Sequence, residues 1–134
     1  MAQQKVGGGC HCGRVRIQVN VDLAAGTGRC NCSICSKLRN WSVIVKPEAL
    51  QLVAGEQDLS SYEWGPRISK RMFCRHCGVH VFGAGYLEQV GGDYRSVNVA
   101  VLDLEPPVLD TLPIRYFDGR NNAWMETPAY THYL

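Results

Sequence analysis

No stretch of this sequence approaches the roughly 18 consecutive apolar residues of a membrane-spanning helix. Its first nine residues, Met1 to Gly9, hold no apolar run of secretory type. No segment repeats, none is of low complexity, and none sustains helical periodicity. Charge of one sign is also scarce: 14 Lys and Arg against 12 Asp and Glu give a formal +2. That balance, with no basic stripe, excludes a general attraction to nucleic acid or to acidic membranes. No Ser-His-Asp grouping, phosphate loop or paired-carboxylate pattern is visible. The expected setting is the cytosol, where thiols stay reduced.

Cysteine is what the chain has in excess, seven in 134 residues. An odd number argues against a disulfide framework. The seven fall into two pairs, Cys10/Cys12 and Cys74/Cys77, and a trio, Cys30/Cys32/Cys35. Two distant pairs make one complete tetrahedral thiolate set for zinc, and a closed site of that kind is structural. Gly13 and Gly78 follow the pairs, and Gly78 is placed to take the positive φ that turns backbone N–H groups toward the sulfurs. The trio is one ligand short, so it forms an open site able to hold water or substrate. A histidine among His11, His76, His80 and His132 would instead close it as a second structural site, and a redox or persulfide cluster without metal is a third reading. Seven thiolates on two Zn²⁺ ions would take the formal charge from +2 to −1.

Val15 to Val21 alternates apolar and polar residues, which predicts a half-buried strand with the valines and Ile17 inward. Trp41–Val45, Leu50–Val53, Ser60–Trp64, Ile68–Phe73 and Ile114–Phe117 also read as strands. Asp22 to Gly28 reads as a loop, Gly65-Pro66 as a turn, and Gly91-Gly92-Asp93 as the turn of a hairpin. Pro106, Pro107 and Pro113 mark an irregular connection. A short helix is expected only over Ser33 to Arg39. The expectation is one all-β domain, residues 1–134, of short antiparallel strands with metal at its loops.

Gly8-Gly9-Cys10-His11-Cys12-Gly13, then Cys30-x-Cys32-x-x-Cys35, then Phe73-Cys74-x-x-Cys77-Gly78 resembles the glutathione-dependent formaldehyde-activating enzyme family, which includes the centromere protein V type. The tail from Arg115 to Trp124 is similar to the family's closing segment. The resemblance implies a β-tent fold, shared with a zinc-binding accessory factor of Rab GTPases. It implies a structural zinc on Cys10, Cys12, Cys74 and Cys77, and a second, catalytic zinc on Cys30, Cys32 and Cys35. The implied activity is a carbon–sulfur lyase joining formaldehyde to glutathione as S-(hydroxymethyl)glutathione.

Zn²⁺ with three thiolates carries a net −1, which suits an activated thiolate nucleophile better than an electrophilic metal and calls for nearby cations. Arg29, Lys37 and Arg39 flank the trio, and Arg71 and Arg75 flank the Cys74 pair. Lys37, Arg39 and Trp124 are the candidate substrate contacts, with arginine suited to glutathione's carboxylates. The competing functions are a non-catalytic two-zinc binding or chaperone-like module, and a nucleic-acid-binding zinc ribbon that the charge disfavours.

Overall fold

The computed structural model describes residues 3–65 and 69–134. Pro66 of the expected turn and Ile68 of the expected strand lie outside the described residues. The strands are β1 (Gln4–Gly9), β2 (Arg16–Val21), β3 (Thr27–Cys30), β4 (Trp41–Val45), β5 (Leu50–Ala54), β6 (Leu59–Trp64), β7 (Ser69–Cys74), β8 (His80–Leu87), β9 (Gly92–Asn98) and β10 (Ile114–Phe117). The α-helices are α1 (Ser33–Leu38) and the single turn α2 (Pro106–Leu109). The protein is therefore all-β, and none of the described helices is long and apolar enough to cross a membrane.

The strands form two sheets, ordered β1-β2-β5 and β10-β3-β4-β9-β8-β7-β6. Every pairing is antiparallel except that of β10, which lies parallel to β3 at the sheet edge. Strand β2 behaves as its alternation dictates. Val15, Ile17, Val19 and Val21 are buried, while Asn20 is exposed. They pack in one apolar cluster with Val43 of β4, Val81 of β8 and Val97 of β9, joining the two sheets through a common core. Burial of that apolar area is the main favourable contribution to the fold.

Two strands run where no alternation of apolar and polar residues exists. In β1, Gly8 pairs with Leu102 so closely that a Cβ would stand 2.5 Å from the Val101 carbonyl oxygen. In β3, Thr27 and Gly28 at the end of the expected 22–28 loop are drawn into the sheet between β4 and β10. The β8–β9 hairpin turns as expected at Gly91 and Gly92, with φ of 93° and 104°. Pro106 and Pro107 open α2, where proline's missing N–H is no loss.

Candidate metal centres

The turn after β1 and the turn after β7 fold back in the same manner. Cys10 N–H donates to the Val15 carbonyl and Gly13 N–H to Cys10; Cys74 N–H donates to Val79 and Gly78 N–H to Cys74. Each turn closes through its glycine, Gly13 at φ 85° and Gly78 at φ 77°, where a side chain would be strained. The turns present backbone N–H groups to sulfur, from Val15 to Cys10 at 3.3 Å and from His76 to Cys74 at 3.4 Å. Arg14 holds the Cys12 thiol below its usual range through its backbone N–H and its side chain. The backbone N–H of Val79 leads in lowering Cys77 to about 6.

Residues 62 positions apart thereby meet: Cys12 Sγ lies 3.7 Å from Cys74 Sγ and 3.6 Å from Cys10 Sγ. A regular tetrahedron of 2.3 Å metal–sulfur bonds has edges of about 3.8 Å. The spacing fits thiolates around one ion, and it is far beyond the roughly 2.05 Å of a disulfide. All seven cysteines are free. Sequence neighbours do not compete for the site, because His76 Nε2 is engaged with Asp58 Oδ1 at 2.7 Å and His11 is exposed.

The trio sits at the end of β3 and the start of α1, with Cys32 as the helix N-cap. Its sulfurs lie within 4.8 Å of one another, and among the described residues no histidine joins them. Hydrogen bonds from Cys30 and then Cys35 hold the Cys32 thiol down to about 2, while the same contacts push Cys30 up. The group thus favours a thiolate. This donor set also fits a soft metal ion, with three protein ligands.

The trio opens on a cleft of about 930 Å³, at the upper end of the 300–1,000 Å³ usual for small-molecule sites. Trp64, Arg71, Tyr94, Phe117 and Trp124 are among its lining residues. Trp124 reaches the trio: a Cβ on Gly119 would meet its ring and would stand 2.8 Å from Cys30 Sγ. Its indole N–H donates to Asn122 Oδ1 at 2.7 Å, which fixes the ring. Asn31 ties this tail to the trio, donating to Asp118 Oδ1 at 2.9 Å and accepting from the Arg120 N–H at 2.8 Å. Asn40 Oδ1 and Arg71 Nε are buried with no hydrogen-bond partner among the described residues, so both remain to be satisfied by water or a ligand.

Of the sequence candidates, Trp124 lines the cleft, whereas Lys37 and Arg39 are exposed and stand outside its lining. Among the described residues, the cations along it are Arg29, Arg71, Arg115 and Arg120. Arg71 reaches Cys35, not the adjacent Cys74 pair: its Nη2 donates to Cys35 Sγ at 3.3 Å. The strand alternation of β7 held that signal, since positions 71 and 74 project to opposite faces. Arg29 stacks over Trp41 at 5.3 Å and donates to the Arg39 carbonyl.

The model of a family described as glutathione-dependent formaldehyde-activating enzyme matches residues 5–116, a span holding all seven cysteines. A crystal structure of a Rhodobacter sphaeroides protein is similar at 32% identity and a TM-score of 0.68, covering 81% of this chain and 98% of that one. Gly119 and Trp124 lie beyond the matched residues.

Proposed function

This chain belongs to the glutathione-dependent formaldehyde-activating enzyme family, and from that membership we propose that it is a zinc-dependent carbon–sulfur lyase acting on a small thiol adduct of the S-(hydroxymethyl)glutathione type. The observation that carries the reading is the trio: three free thiols, without a fourth protein ligand among the described residues, gathered on a cleft of ligand size. Cys30, Cys32 and Cys35 would hold a zinc with one position left for a thiol, and Cys10, Cys12, Cys74 and Cys77 a zinc that secures the fold. Zinc there supplies a thiolate at neutral pH, because a coordinating thiol is deprotonated.

The remaining work falls to the chain. Trp124 and Phe117 wall the reacting sulfur from bulk water. Arg29, Arg115 and Arg120 are placed along the cleft for a ligand's carboxylates, in the role the sequence assigned to Lys37 and Arg39. In the synthetic direction the thiol sulfur bonds to the aldehyde carbon, the carbonyl π bond opens, and the proton lost by sulfur ends on oxygen; nothing is oxidised or reduced. Reduced thiols of this kind fit a cytoplasmic setting. A non-catalytic two-zinc module would need the second site closed by a histidine or a partner group, and no described histidine lies there.

Calorimetric titration of glutathione into zinc-loaded protein tests the reading, followed by NMR of ¹³C-formaldehyde exchange with glutathione. Saturable binding that Cys32→Ser abolishes, with accelerated exchange, is expected. Absence of binding to the zinc-loaded protein would remove glutathione as the ligand. Binding without acceleration would leave a binding module.

A further inference from the structure

Arg71 is a buried cation, only 7% exposed, on β7. Its Nη1 donates to the Lys70 carbonyl at 3.3 Å, its Nη2 to Cys35 Sγ at 3.3 Å, and its Nε to no atom of the described residues. Its guanidinium carbon stands 5.2 Å from the Trp64 ring centroid. Gly83 leaves it room, since a Cβ there would stand 2.7 Å from Nη1. Among the described residues the carboxylate ion pairs belong to Arg16, Lys70 and His76, and none to Arg71. An unpaired buried charge is costly, so the compensating negative charge has to come from the sulfurs beside it.

A divalent ion on three thiolates carries −1, and a fourth thiolate makes −2. Without a fixed cation, that last thiolate would enter against a like charge. We propose that Arg71 is the counter-ion of the three-cysteine centre and makes it select an anionic thiolate as fourth ligand. This rests on the reading that a thiol occupies the open position. The cation is contributed by the strand that leads to the other metal clamp, so β7 serves both centres. Arg71 is a positioning residue here: it acts through the charge of the site.

The test uses the full chain loaded with cobalt(II), whose thiolate charge-transfer bands report the fourth ligand. The probes are glutathione and 2-mercaptoethanol, the latter a thiol without carboxylates. Arg71→Gln is expected to weaken the band change with both thiols about tenfold or more, and Arg71→Lys to restore most of it. Bands of the four-cysteine centre, unresponsive to thiol, report folding in each variant. If Arg71→Gln fails to hold both cobalt ions, Gly83→Ala displaces the guanidinium without removing charge, and a smaller but definite weakening is expected.

Equal thiol affinity in the wild type and the variants overturns the proposal. Loss with glutathione alone overturns it too, because Arg71 would then be reading a carboxylate. A wild-type spectrum that answers neither thiol overturns the thiol reading, and this inference with it.

Discussion

Gly119 packs against Cys30 so closely that a Cβ added to it would stand 2.8 Å from the thiol sulfur, and it would also meet the Trp124 ring. Neither neighbour is the free end of a flexible chain. Gly119→Ala should therefore cost about 1–3 kcal/mol of local strain, expressed at the trio. The expected result is about tenfold weaker metal affinity there, with the four-cysteine centre intact. Competition with a chromogenic chelator resolves the two affinities, and an unchanged weaker one would count against the packing argument.

The two centres should differ in what they hold together. Cys74 is fully buried within the core cluster, and its partners lie on both sheets. Cys74→Ser is expected to lower the melting temperature by about 10 °C or more. Cys32→Ser should lose the second metal while keeping most of the far-ultraviolet signal and the melting temperature. Equal melting shifts for the two variants would show that the trio is structural.

Asn31 is buried and joins the trio's loop to the tail at Asp118 and Arg120. Asn31→Ala leaves the Arg120 N–H without its acceptor, at about 1–2 kcal/mol. Trp124 should loosen with it. Tryptophan fluorescence would shift toward that of exposed indole, and thiol affinity would fall. A variant with wild-type emission and affinity would show that the tail is held by other contacts.

His80 carries a pH signature. Burial, then the charge of Arg71, lowers its pKa from 6.5 to about 4. Above pH 6.5 both states are neutral and the contribution to stability is complete. Between pH 6.5 and 4 the unfolded chain takes up a proton that the folded chain refuses, so stability falls as pH falls, by about 3 kcal/mol at most. Urea midpoints of zinc-saturated protein at pH 7.5 and 5.5 should diverge more for the wild type than for His80→Leu. Acid loss of zinc is common to both, so parallel slopes would remove His80 from the account.

Much of this was readable before any coordinates. Alternation in Val15–Val21 fixed which side chains go inside, and the cysteine spacing separated the closed set from the open one. β1 escaped because Gly7, Gly8 and Gly9 have no side chains to alternate. β3 escaped because Thr27-Gly28-Arg29-Cys30 owes its extended form to neighbours on both edges. The prolines at 106 and 107 pointed to a break and instead begin a helical turn. The largest change concerns charge. Adjacency puts Lys37 and Arg39 at the trio, yet the cation on Cys35 is Arg71, 36 positions away. Adjacency in a helix says little about which strand will cross the floor beneath it.

The placement of β10 has a consequence for the protein's birth on the ribosome. Everything needed to clamp the first metal has been synthesised by Gly78, whereas β10 and the Gly119–Trp124 wall are made only after it. A growing chain can close its clamp early and then carry the trio with its thiols bare. During that interval the trio lacks its Gly119–Trp124 wall, which leaves its thiols more open to oxidation or to capture of the wrong metal than in the finished fold. Arrival of β10 and the Gly119–Trp124 wall closes that window, so a segment made later protects chemistry encoded before it.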